Sequence, residues 1–81
     1  MLTNAGVARA WAAGRPGHSG RMHTNGVDIF SYALKIGTTI DGRKVGYRYQ
    51  APRFVSMTTS HHVSQLRGHA HEIIEPPRRD A

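Results

Sequence analysis

The stretch "RMHTNGVDIFSYALKIG", residues 21–37, decides how the fold is read. Asn25-Gly26 between two strand-like runs is a strong hairpin signal, because a type I′ turn needs positive φ at both central residues. Arg21–Thr24 and Val27–Gly37 are therefore expected to pair as neighbouring strands. In the longer run, Phe30, Tyr32, Leu34 and Ile36 alternate with Val27, Ile29, Ser31, Ala33 and Lys35. Both faces begin apolar, which suits a central strand covered on both sides over its first half. Tyr32 is expected to pack inward, with its hydroxyl reaching a partner at the sheet edge.

Downstream, "TTIDGRKVGYRYQ" (residues 38–50) carries a second turn dipeptide, Asp41-Gly42. Val45, Tyr47 and Tyr49 then alternate with Lys44, Gly46 and Arg48. Such alternation predicts a strand with one face inward and one basic face in water. Pro52 ends or bends that strand near Ala51. Arg53–Met57 is either a fourth short strand or the same strand resumed.

Upstream, "TNAGVARAWAA" (residues 3–13) predicts a helix over 4–13. Thr3 is its N-cap, Leu2 and Val7 occupy the staple positions, and Val7 and Trp11 share a face. Gly14 suits the left-handed position after the helix, and Pro16 forbids its resumption. "GRPGHSG" (residues 14–20) then reads as a loop, with Arg15 and His18 in solvent. Past the sheet, "FVSMTTSHHVSQLRGHAH" (residues 54–71) predicts a second helix capped by Thr58 or Thr59. Val63, Leu66, Ala70 and Ile73 follow at helical spacing. Gly68 either ends this helix or interrupts it, and Pro76-Pro77 stop it. The expected fold is α+β: an N-terminal helix, a three- or four-stranded antiparallel meander and a C-terminal helix. It is one domain over residues 1–75, with a charged tail at 76–81.

The chain has 81 residues, no cysteine and a formal charge of +6 from eleven Lys and Arg against five Asp and Glu. Absent cysteines remove disulfides and thiolate metal sites and favour the cytoplasm. No apolar run approaches the ~20 residues that span a bilayer, and Leu2–Ala13 is too short and polar for a signal peptide. A basic balance of this size points to DNA or RNA, or to an acidic protein surface, as the partner; homo-oligomerisation stays open.

Four of the six histidines fall in residues 61–71. His62 and His69 lie two helical turns apart, ~10.5 Å along a helix axis. That is too far for two imidazoles to share a zinc at ~2.0–2.1 Å each. No metal and no cofactor is expected. Paired carboxylates, a nucleophile elbow and a phosphate loop are all missing, so no enzyme activity is expected either. Ser60 beside His61 and His62 is adjacency rather than a catalytic geometry. The residues read as binding nucleic acid or a partner are Lys44, Arg48 and Arg53 around the basic strand face. Thr58, Thr59, Ser60 and His62 at the second helix start, with Arg67 beyond, extend that surface. Tyr47 and Tyr49 alternate away from the basic residues and read as core. The order helix–three strands–helix is similar in outline to double-stranded-RNA-binding domains, but without their lysine-rich entry to the last helix.

Taken together, "VARAWAAG", "HSGRMHTNG", "IFSYALKIG" and "FVSMTTSHH" resemble a group of short, mostly bacteriophage-encoded proteins of uncharacterised function. The matching residues are Val7, Ala8, Trp11, Ala12, Gly26, Ser31, Tyr32, Ser56, Thr58, Thr59, Ser60 and His62. They run through about residues 5–66. Val55 stands where that group usually has Tyr, and Ala33 where Gly is common. The resemblance implies a phage or prophage accessory gene, acting in the cytoplasm of a bacterial host, and no particular activity. The expected function is a small, non-enzymatic phage accessory protein that binds nucleic acid. The alternatives are a host-protein modulator or inhibitor, as in host takeover or anti-defence, and a virion or assembly component.

Overall fold

A computed structural model describes residues 1–48 and 57–75. Helix α1 (Asn4–Ala12) is followed by β1 (Pro16–His18), β2 (Met22–Asn25), β3 (Ile29–Ser31), β4 (Leu34–Ile40) and β5 (Arg43–Tyr47). Then come α2 (Met57–Leu66) and β6 (Glu72–Ile74). The fold is α+β, with one sheet in the order β1-β2-β3-β4-β5-β6. Six strands replace the three or four expected. The first five form an antiparallel meander, and β6 pairs parallel to β5. This departs from the outline of a double-stranded-RNA-binding domain.

Helix α1 forms where its capping residues dictate. The Thr3 hydroxyl accepts the Gly6 N–H at 3.0 Å. At the other end Gly14 adopts φ 74°. There the Gly14 N–H donates to Trp11 O and the Arg15 N–H to Ala10 O, the paired bonds of a Schellman motif. The turn delivers Pro16 directly into β1, so the glycine-rich segment read as a loop is the first strand. Its edge is tied down by Leu2, whose N–H donates to His18 O.

Three of the four turns of the meander turn on residues with positive φ. At Asn25–Asp28 only Gly26 has positive φ (96°), so the Asn-Gly pair does not make the type I′ turn predicted. A Cβ on Gly26 would sit 2.7 Å from Gly14 O, which excludes any side chain there. At Asp41-Gly42 both residues have positive φ, 51° and 79°, as a type I′ turn requires. The third turn breaks the long strand expected over Val27–Gly37. Tyr32 takes φ 55° and, with Ala33, reverses the chain so that Ser31 pairs Leu34. Tyr32 is 52% exposed and does not pack inward.

The core lies between the helices and one sheet face: Val7, Ala8 and Trp11 of α1, Met22, Ile29 and Ile36 of the sheet, and Val63 and Leu66 of α2. Trp11 is fully buried and its indole N–H donates to Val27 O at 3.0 Å. Its ring lies so close to β4 that a Cβ on Gly37 would come within 3.1 Å of Trp11 Cζ2 and 2.9 Å of Ile29 Cγ2. Gly37 is the gap in the strand that admits the indole.

Helix α2 starts at Met57, ahead of the predicted caps, so Thr58 and Thr59 fall within its first turn. It ends at Leu66, where Ala70 and His69 N–H groups both reach Leu66 O. Ile73, read as the last helical position, belongs to β6. The return to the sheet is fastened at His71. Its N–H donates to Lys44 O, and its Nδ1 accepts the Lys44 N–H at 2.8 Å. No helix among the described residues is long and apolar enough to cross a membrane.

Candidate nucleic-acid interface

The basic strand face predicted on β5 is dismantled by its own geometry. Lys44 points into the protein and is 6% exposed. Its ammonium donates to Gly26 O at 2.9 Å and to Thr39 Oγ1 at 2.7 Å, and lies 5.4 Å from the Trp11 ring centroid. Burial pushes its pKa below the usual lysine range. The period-two reading placed Lys44 in water, but a covered Lys44 with three partners fills the space beside Trp11. Arg48 is exposed and sits 3.5 Å from Glu75. Arg67 is exposed in the turn after α2. Arg53 and the side chains of Thr58, Thr59 and Ser60 lie outside the described residues.

His62 is also inside the fold, 2% exposed. It joins four elements through one polar chain. Ser19 Oγ accepts the N–H groups of Arg21 and Met22 and donates to Asn4 Oδ1 at 2.6 Å. That bond turns the Asn4 amide so that its Nδ2 donates to His62 Nε2 at 3.3 Å. With Nε2 accepting, the ring proton is on Nδ1, 2.7 Å from Ser31 Oγ. A second proton on Nε2 would face the Asn4 amide N–H. Burial lowers the His62 pKa, and Arg21 and His61 lower it further. The chain ties α1, the β1–β2 turn, β3 and α2 together. His62 is therefore a clamp within the core rather than a surface contact. Of the other histidines in this segment, His61 is exposed, His69 half-buried and His71 engaged with β5.

The unneutralised charge lies elsewhere. The sequence has no Asp or Glu before Asp28. Arg9 on α1, Arg15 on the turn into β1, Arg21 on the β1–β2 turn and Arg67 after α2 are all exposed. None of them makes an ion pair among the described residues. On the β4–β6 side the cations are matched: Lys35 with Asp28, Arg43 with Glu72 and Arg48 with Glu75, at 3.5–3.8 Å. Arg9 and Arg15 flank one open cleft of about 300 Å³, whose floor includes Leu2, Gly6, Ala10 and Pro16. These arginines were not singled out by motif or alternation. The signal that would have found them is the run of 27 residues without an acid.

The outer sheet face carries a second feature. The register places His18 opposite His23, His23 opposite Phe30 and Phe30 opposite Lys35. Directly opposed residues share a face, so these four form a row across β1–β4. The His23 and Phe30 rings stack at 4.7 Å and 9°.

Comparison with protein-family models, curated proteins and solved structures finds no match.

Proposed function

We propose that this chain is a small, non-enzymatic accessory protein of phage type that binds nucleic acid. The contacts come from the exposed arginines left without an ion pair, with Arg9, Arg15, Arg21 and Arg67 on phosphates. The observation that carries this reading is the partition of charge: among the described residues, the arginines without an ion pair lie on α1, on the turns flanking β1 and just after α2. A uniformly solubilising charge would have no reason to segregate in this way. Within about 8–10 Å, the screening length at moderate salt, such a surface attracts a polyanion. Lys44 and His62 support the fold beneath that surface. Arg48 remains an auxiliary contact once Glu75 is displaced.

Fluorescence anisotropy with labelled duplex and single-stranded oligonucleotides at two salt concentrations tests the reading. Binding is expected to weaken by ~0.7–0.9 log units per tenfold salt for each phosphate neutralised. Absence of salt-sensitive binding at tens of micromolar rejects it. Capture of a host protein that persists after nuclease treatment would then favour the host-modulator alternative.

A further inference from the structure

We infer that the outer face of β1–β3 is a base-stacking site, which makes the nucleic acid bound by this protein single-stranded. The inference rests on the nucleic-acid reading above and deepens it. The row His18–His23–Phe30–Lys35 crosses four adjacent strands on the face opposite the helices. Ile29 and Met22, the neighbours of Phe30 and His23 along the chain, point the other way into the core. His23 and His18 are exposed, and Phe30 is half-buried.

The ring geometry matters more than composition. His23 and Phe30 stack nearly parallel at 4.7 Å, the spacing between neighbouring strands. Their planes therefore stand across the row, and the stack can be extended along it. Phe30 backs His23 on the β3 side. On the β1 side the row continues only to His18, on the edge strand. A base entering there would stack on the open face of His23, with His18 beside it. Lys35 closes the opposite end of the row with a cation, held 3.8 Å from Asp28.

Duplex bases are already stacked on one another and cannot enter such a row. An unpaired base can, and every base offers a π-face, so the site would tolerate different sequences. The charge needed to hold the backbone is close in the chain: Arg15 and Arg21 flank β1 at its two ends. An acidic protein segment would be drawn by the same charge, but it would have no use for a stacked ring pair.

The test compares a fluorescein-labelled 15-mer of deoxythymidine, a 15-mer of uridine and a 15-base-pair duplex at low and moderate salt. The wild-type protein is expected to bind both single strands more tightly than the duplex. His23→Ala should weaken single-strand binding by about tenfold, the usual scale for losing one stacked base, and leave duplex binding unchanged. His23→Tyr, which restores a ring at an exposed position, should recover the loss. Equal binding of single strand and duplex, or an equal loss for both in His23→Ala, overturns the stacking site while leaving the nucleic-acid reading intact. No salt-sensitive binding to any of the three probes overturns both. Circular dichroism of His23→Ala and His23→Tyr checks that the exposed substitutions leave the fold unchanged.

Discussion

On the β4–β6 side of the molecule Arg43 faces Glu72 and Arg48 faces Glu75, whereas Arg9, Arg15 and Arg21 on the α1–β2 side make no ion pair among the described residues. The two sides carry similar numbers of exposed cations, but on one side they are neutralised and on the other they are not. Exposed ion pairs contribute little to stability, typically under about 1 kcal/mol. Their effect here is to silence one surface. The other keeps its field, and its architecture is held by the neutral chain Ser19–Asn4–His62–Ser31 rather than by charge.

The largest expected effect breaks the unpaired side from beneath. His62→Ala removes a buried ring together with its hydrogen bonds to Asn4 Nδ2 and Ser31 Oγ. It should cost about 3 kcal/mol of unfolding free energy in urea titration. A loss below about 1 kcal/mol would mean that the clamp does not hold the helices to the sheet.

Next in size is a direct exchange between the sides. Arg9→Ala with Arg15→Ala should lower nucleic-acid affinity about tenfold and flatten the salt slope by roughly 1–2. Arg43→Ala with Arg48→Ala should change affinity less than threefold, since Glu72 and Glu75 offset those charges. Equal effects from the two double variants would erase the contrast on which the proposed function stands.

His62 also gives the comparison a pH dependence. Its pKa is lowered in the folded state, and the unfolded chain titrates near the ordinary value of about 6.5. Between those values the unfolded state binds more protons, so stability falls as pH falls. It is fully retained above about 6.5. Thermal melts from pH 7.5 downward should show a decline beginning near that value, and the decline should be shallower in His62→Gln. The smallest effect belongs to the paired side: Glu72→Gln should shift stability by only ~0.5 kcal/mol or less. A larger loss would show that β6 depends on its ion pair with Arg43 and not mainly on the two His71–Lys44 hydrogen bonds.

Several of these elements were legible before the fold. Thr3 and Gly14 bracket α1 because their roles are local: a hydroxyl for an unpaired N–H and a residue free to take positive φ. Asp41-Gly42 is legible for the same reason. Tyr32 is not, since a bulky residue at φ 55° is what turn chemistry disfavours, and alternation runs through it undisturbed. Ile73 is misread because Leu66, Ala70 and Ile73 keep helical spacing after the helix has ended at Leu66. Lys44 is misread because alternation assigns a face but not what covers it; the cover is Trp11, thirty-three positions away. The candidate site was half legible. Its charge was visible, but the row His18–His23–Phe30–Lys35 exists only once the strand register is known.

The parallel strand β6 has a consequence for how the chain reaches this state. The hairpins from β1 to β5 close over short loops, contacts that form in about microseconds. The β5–β6 pairing must wait for α2 to form and return residues 72–74 to Val45, Gly46 and Tyr47. Non-local parallel pairing is intrinsically slow. Until residues 72–74 return to it, the edge of β5 is therefore open. The late arrival of β6 then acts as the closing step that shields a sheet edge otherwise suited to pairing with another chain.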